Sequence, residues 1–124
     1  MGFTTKRTMW YELGDLERTG DSGLRAVAFV PADSPWFDGH FPGRPVLPGI
    51  AQLGMVLALI SKATGTALFI RQVGRVRFKR VIPPGSHLTL YAEAKPGKAG
   101  QYLFRIEKGS DLVCSGNMTV AGKN

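Results

Sequence analysis

Cysteine is almost missing from this chain, with Cys114 the single one among 124 residues. One thiol excludes an intrachain disulfide. With only His40 and His87 as histidines, the spacing of a Cys/His metal site is absent too, so no metal is expected. Long apolar runs are also lacking. The longest, Leu53 to Ile60, is far shorter than the roughly 20 residues that cross a bilayer, so no membrane partner is expected. Met1 to Leu16 carries no continuous apolar core, so no leader peptide is expected, and a reduced cytoplasmic setting fits best. Acidic side chains are scarce: nine Asp and Glu face sixteen Lys and Arg, for a net charge of +7. That balance favours an anionic partner. Neither zinc-finger spacing nor an aromatic RNA-binding motif is present, which argues against nucleic acid. Repeats and low-complexity tracts are missing as well.

What is there reads as one globular domain over residues 1–124, with 44% hydrophobic and 20% charged residues. Trp10, Leu13 and Leu16 suggest a short amphipathic segment, and residues 19–23 a turn. Leu24 to Val30 alternates as a strand, with Leu24, Ala26, Ala28 and Val30 on one face. Gly49 to Thr64 is a helix, with Pro48 just before it and Gly65 closing it. Its apolar residues run nearly all the way round, which predicts burial on most sides. Four strands follow: Leu68 to Ile82, bent or bulged near Gly74, then Leu88 to Ala94, Tyr102 to Glu107 and Val113 to Ala121. One helix followed by consecutive antiparallel strands implies an α+β fold with the sheet wrapped on the helix.

The segment from Pro31 to Gly49 is unusual, holding five of the eight prolines together with Trp36, Phe37, Phe41, Val46 and Leu47. An apolar, proline-stiffened loop of this kind is more often a binding loop than a linker. Within it, Gly39-His40-Phe41-Pro42-Gly43-Arg44-Pro45-Val46-Leu47-Pro48-Gly49 resembles the GHFPxxPxxPG signature of the 3-hydroxyacyl-(acyl carrier protein) dehydratases. Arg77 to Gly85 is similar to that family's strand and turn, and Gly116 to Ala121 fits its last strand. The resemblance covers about residues 24–121. It implies a hotdog fold, an antiparallel sheet wrapped around one long central helix. It also implies a homodimer or higher oligomer with sites between protomers, an acyl thioester substrate on an acidic acyl carrier protein, and no cofactor.

The implied reaction removes water from a 3-hydroxyacyl thioester. It needs a base for the proton beside the carbonyl, a donor for the charge on the thioester oxygen, and an acid for the departing hydroxyl. His40 suits the base. Gly49, at the helix start, offers a backbone N–H to the oxygen. Phe41, Pro48, Gln52 and Gly54 are the substrate-binding candidates. In the family the acid sits on the helix fourteen residues after the histidine, which here is Gly54, and the helix has no Asp or Glu. The stretch LPGIAQL, with Gln52, resembles the dehydratase-like branch of aryl polyene and polyketide-type clusters. Asp38 is the carboxylate nearest His40 in sequence, although Asp in such a turn more often bonds neighbouring backbone. Gln52 is polar in an apolar helix and suits orienting a water. Two alternatives remain: a hotdog thioesterase, or a non-catalytic subunit that binds the carrier protein. Arg75, Arg77 and Lys79 alternate as a basic stripe facing the carrier protein or solvent. His87 and Cys114 fall in no motif and read as structural.

Overall fold

The computed structural model describes residues 10–38 and 46–122. In chain order the elements are β1 (Glu12–Leu13), β2 (Glu17–Thr19), β3 (Gly23–Val30), a 3-10 turn (Pro35–Phe37), α1 (Gly49–Thr64), β4 (Leu68–Phe78), β5 (Ser86–Ala94), β6 (Gln101–Lys108) and β7 (Asp111–Gly122). The strands form one antiparallel sheet in the order β1-β3-β5-β6-β7-β4, with β2 also paired to β3. This is the expected α+β architecture.

Period-two alternation decides which face meets the helix. Leu24, Ala26, Ala28 and Val30 of β3, Leu88, Leu90 and Ala92 of β5, and Phe104 and Ile106 of β6 are all buried. The helix answers with Ala51, Gln52, Met55, Val56, Leu59 and Ile60. Full burial of each large apolar side chain is worth about 1.5–3 kcal/mol.

Both helix ends match the sequence reading. Pro48, at φ −64° and ψ 151°, starts α1 in extended backbone. Gly65 ends it at φ 70°, where its N–H donates to the Ser61 carbonyl. The Arg18 guanidinium of β2 donates to the Ala63 carbonyl at 2.9 Å, which satisfies a last-turn acceptor.

Three expectations are corrected. β4 stops at Phe78 rather than Ile82. The Lys79 and Arg80 N–H groups both turn to the Val113 carbonyl, and Pro83 and Pro84 have no N–H to continue a ladder. Ile82 is instead buried in the core. Second, the pairing of β4 with β7 shifts register between Ile70 and Gln72 and again between Gly74 and Arg77, with Arg75 at φ 52°. A bulge breaks strict alternation. Arg75, Arg77 and Lys79 are therefore exposed but do not share one straight strand face. Arg77 belongs to a different row, which crosses the outer face through Ser115, Arg105 and Tyr91 to Arg25. Third, Trp10, Leu13 and Leu16 do not make one amphipathic unit. Short strands form there, and Trp10 and Tyr11 pack on Trp36 at ring separations of 5.8 and 5.2 Å.

A Cβ on Gly116 would lie 3.1 Å from the Val76 Cα and 3.0 Å from the Phe104 ring. Backbone cannot yield as a side chain does, so Gly116→Ala is expected to destabilise by about 1–3 kcal/mol. Urea unfolding should show a lower midpoint at unchanged slope. An unchanged midpoint would contradict the close packing of β6, β7 and β4.

Candidate functional site

The entry to α1 is held from both sides. The Leu47 N–H donates to the Ile82 carbonyl at 2.9 Å. The Leu47 carbonyl accepts from Gln52 Nε2 at 3.3 Å. Pro48 follows, and its carbonyl accepts from the Ala51 and Gln52 N–H groups. The N–H groups of Gly49 and Ile50 have no acceptor within the helix by position, and Pro48 supplies no side-chain cap. These donors, with the positive end of the helix dipole, favour a developing negative charge.

A cleft of about 280 Å3 opens beside this helix start. Leu47, Gly49, Gln52, Phe78, Lys79, Arg80 and Val81 line it. The Phe78 ring lies against Gly49 so closely that a Cβ there would meet its Cζ at 2.7 Å. Glycine is thus the residue that fits under this ring. Gln52 is 3% exposed, and its Oε1 is buried without a hydrogen-bond partner among the described residues. Lys79 and Arg80 add positive charge at the rim.

Of the sequence candidates, Gly49 and Gln52 come together in the cleft, with Pro48 at the helix start beside them. His40 and Phe41 lie outside the described residues. Gly54 does not face the cleft's lining. It sits with Ile50, Leu53, Leu57, Ala58 and Ser61 on the side of α1 that its own sheet leaves uncovered. Ile50 is 76% exposed, which corrects the expectation of a helix buried on most sides. A Cβ on Gly54 would meet nothing within 4 Å among the described residues. Asp38 is exposed at the end of the 3-10 turn, where its backbone N–H donates to the Pro35 carbonyl.

All nine carboxylates of the chain fall within the described residues, and none lines the cleft. Glu12 is the buried one. It pairs with Phe29, whose side chain points to the outer face of β3, so register turns Glu12 away from α1. Phe78, Lys79 and Arg80 were not singled out as lining residues by sequence. Their signal was an aromatic between two basic residues just before the Pro83-Pro84 turn. A larger cleft of about 500 Å3, near Tyr91, Leu103 and Arg105, holds none of the candidate residues and opens on the outer face. His87 stacks on Phe29 at 4.5 Å. Burial pushes the Cys114 thiol up to about 11.

Known proteins agree with this architecture. The family model described as ApeI dehydratase, ApeI-like, matches residues 17–117. A 3-hydroxyacyl-[acyl-carrier-protein] dehydratase FabZ of Sorangium cellulosum is 34% identical over 113 residues, covering 82% of this chain and 73% of that one. The FabZ of Chloroflexus aggregans is 37% identical over 112 residues, covering 82% and 78%. Among solved structures, the dehydratase heterocomplex ApeI:P from Xenorhabdus doucetiae superposes with a TM-score of 0.76 at 22% identity, covering 89% of this chain and 96% of that one. The fluoroacetyl-CoA-specific thioesterase FlK superposes with a TM-score of 0.63 at 18% identity, covering 86% and 96%. These two likenesses establish the hotdog fold.

A thiol held near 11 is a thiolate in only about one molecule per thousand at pH 8. Cys114 is therefore expected to resist a thiol reagent at that pH in the native protein and to react on unfolding. Fast native labelling would reopen the question of a cysteine nucleophile.

Proposed function

The chain belongs to the ApeI-like dehydratase family, and from that premise we propose that it converts 3-hydroxyacyl groups on an acyl carrier protein to 2-enoyl thioesters. The observation that carries the reading is the uncapped start of α1 at Gly49, opening on a cleft with a basic rim and no carboxylate. Such a site holds an oxyanion well. Removing one donor of this kind costs roughly 10²–10³ in rate in other enzymes.

In the proposed reaction the His40 imidazole takes the proton from C2. Negative charge moves onto the thioester oxygen, held by the Gly49 N–H. The C3–O bond then breaks, and the departing hydroxyl takes a proton and leaves as water. Phe41, Pro48 and Gln52 are assigned to the substrate walls, and Gly54 to the face that meets a second protomer.

The proton donor is the incomplete part. Asp38 is exposed, and the helix carries no acid. We infer that the chain pairs with a second hotdog protomer across the uncovered face of α1 and the free edge of β4. Phe69, Val73 and Phe78 of that edge strand are exposed, and an apolar edge with no further strand beside it among the described residues is a pairing site. In a homodimer the acid falls to Asp38 of the second copy. In a pairing with a different hotdog chain, that chain brings a carboxylate opposite Gly54. The second reading is favoured by the glycine and by the ApeI:P relative, which is a heterocomplex. A thioesterase would also need a group to direct water, and the same missing acid weakens it. The acidic carrier protein is proposed to meet the exposed Arg75, Arg77 and Lys79, in the cytoplasm.

Dehydration is followed by the ultraviolet absorbance of the enoyl thioester. His40→Ala is expected to lower it by about 10²–10⁴-fold. Asp38→Asn in the chain alone should cost nearly as much if the homodimer is the active form. If a second chain supplies the acid, the isolated protein is nearly inactive and Asp38→Asn changes nothing. Binding of carrier protein without turnover, alone or in complex, would reject the dehydratase reading for the binding-subunit one.

Light scattering should give about twice the 13.4 kDa protomer mass for the chain or a comparable mass with its partner. Replacing Arg75, Arg77 and Lys79 with Ser should slow association with the carrier protein more than it speeds dissociation, and added salt should do the same. Insensitivity to both would leave those residues as solvated charge.

A further inference from the structure

We propose that Gln52 is the hydrogen-bond acceptor for the substrate's 3-hydroxyl group, and so the residue that distinguishes 3-hydroxyacyl thioesters from those lacking the hydroxyl. The inference rests on the dehydratase reading and names the group its cleft selects.

The orientation of the Gln52 carboxamide is decided by what it touches. The Leu47 carbonyl can only accept, so the amide end facing it must be Nε2, at 3.3 Å. Oε1 is thereby turned the other way. It is buried and has no partner among the described residues. A buried acceptor left unpaired is costly, and such groups in native proteins call for a specific explanation. A Leu or Met at this position would fill the same space in an otherwise apolar helix without that cost. Pinning Leu47 accounts for Nε2 alone and leaves Oε1 unexplained.

What Oε1 lacks is a donor. The Leu47 contact draws the Gln52 side chain back along the helix, so its carboxamide lies level with the helix start and Gly49. That nearness suits two oxygens carried on three consecutive carbons, one on the carbonyl and one at C3. With the thioester oxygen at the Gly49 N–H, the hydroxyl falls beside it, at Gln52. The donors of the pantetheine arm lie on the other side of the sulfur, toward the rim with Lys79 and Arg80. Oε1 is buried, and Gln52 lines the cleft, so a ligand entering there is the one placed to supply the donor. The half-exposed Phe78 ring, pressed on Gly49, is the movable wall that an entering acyl group displaces. In the proposed reaction this contact holds the leaving oxygen in place. Gln52 has no proton to give it and does not replace the missing acid.

The test uses unreactive amide isosteres of a 3-hydroxyacyl and a matched 3-deoxyacyl pantetheine, titrated calorimetrically into the active assembly. Wild type should prefer the hydroxylated ligand by about tenfold, the usual scale of one hydrogen bond. Gln52→Met should bring that ratio near one while leaving affinity for the deoxy ligand within about twofold. Gln52→Glu keeps an acceptor but loses the donor to Leu47, and should retain a preference. Equal weakening of both ligands in both variants would mean that Gln52 only pins Leu47, and the proposal falls. It falls also if Gln52→Met discriminates like wild type. The Gln52 side-chain amide resonances of the unmutated protein provide a check free of folding effects. They should shift with the hydroxylated ligand and not with the deoxy one, and equal shifts would count against the proposal. Dehydration by wild type is measured separately. Turnover without ligand preference overturns this inference alone, and preference without turnover overturns the dehydratase reading alone.

Discussion

A single helix packed on one face of a sheet sets the terms for everything else in this protein. Met55, Val56, Leu59 and Ile60 are fully buried against the sheet, and the alanines of β3 and β5 let the helix approach closely. A sheet can cover only the side of a helix that it faces. The remaining stripe of Ile50, Leu53, Gly54, Leu57, Ala58 and Ser61 is apolar or small and carries no charge. It is a surface suited to a second protein rather than to water. The same packing brings the end of β4, where Phe78 sits, over Gly49, so the helix start becomes a walled cleft and not a bare terminus.

Local chemistry strong enough to override context could be read from the chain directly. Pro48 cannot extend a helix backwards and Gly65 readily takes positive φ, so both ends of α1 fall where the sequence puts them. The inner residues of β3 were legible because alternation over Leu24 to Val30 is unbroken. β4 was harder. Its Arg/Val/Arg/Phe alternation looks regular, yet a bulge with Arg75 at φ 52° changes which residues are neighbours. Gly74 marks a bend or bulge in the sequence, and the register shift after it bears that out, but which residues become neighbours depends on pairing with β7. The end of β4 was misread for a related reason. Val81 and Ile82 have strand propensity, but the Lys79 and Arg80 amides are taken by Val113, more than thirty positions away, a contact no local pattern encodes.

The site shows the same division. The motif identified Gly49 as a helix start and flagged Gln52 as polar among apolar neighbours. It could not reveal that the Leu47 carbonyl fixes the Gln52 carboxamide, since that contact depends on the loop's path into the helix. Nor could it reveal Phe78 and Arg80 beside Gly49, thirty residues on in sequence. Gly54 was legible as a missing acid, but only the structure shows the open space in front of it.

That missing acid and the retained amide follow one electrostatic logic. A carboxylate on α1 without a charged partner would bear a desolvation cost of several kcal/mol, or be driven to its neutral form. A carboxamide in the same helix is neutral in every state, and its amide nitrogen has an acceptor within the fold at Leu47. Replacing an acid by glycine at position 54 makes the uncovered face of α1 easier to bury against another protomer, at the loss of a proton donor. Retaining a neutral amide one turn from Gly49 keeps a directional contact in the cleft without adding charge to it. In the proposed reading the helix start and a neutral amide bind and orient a thioester, while α1 carries no group to complete proton transfer. An assembly in which a second protomer restores it reconciles the apolar helix face with a working elimination.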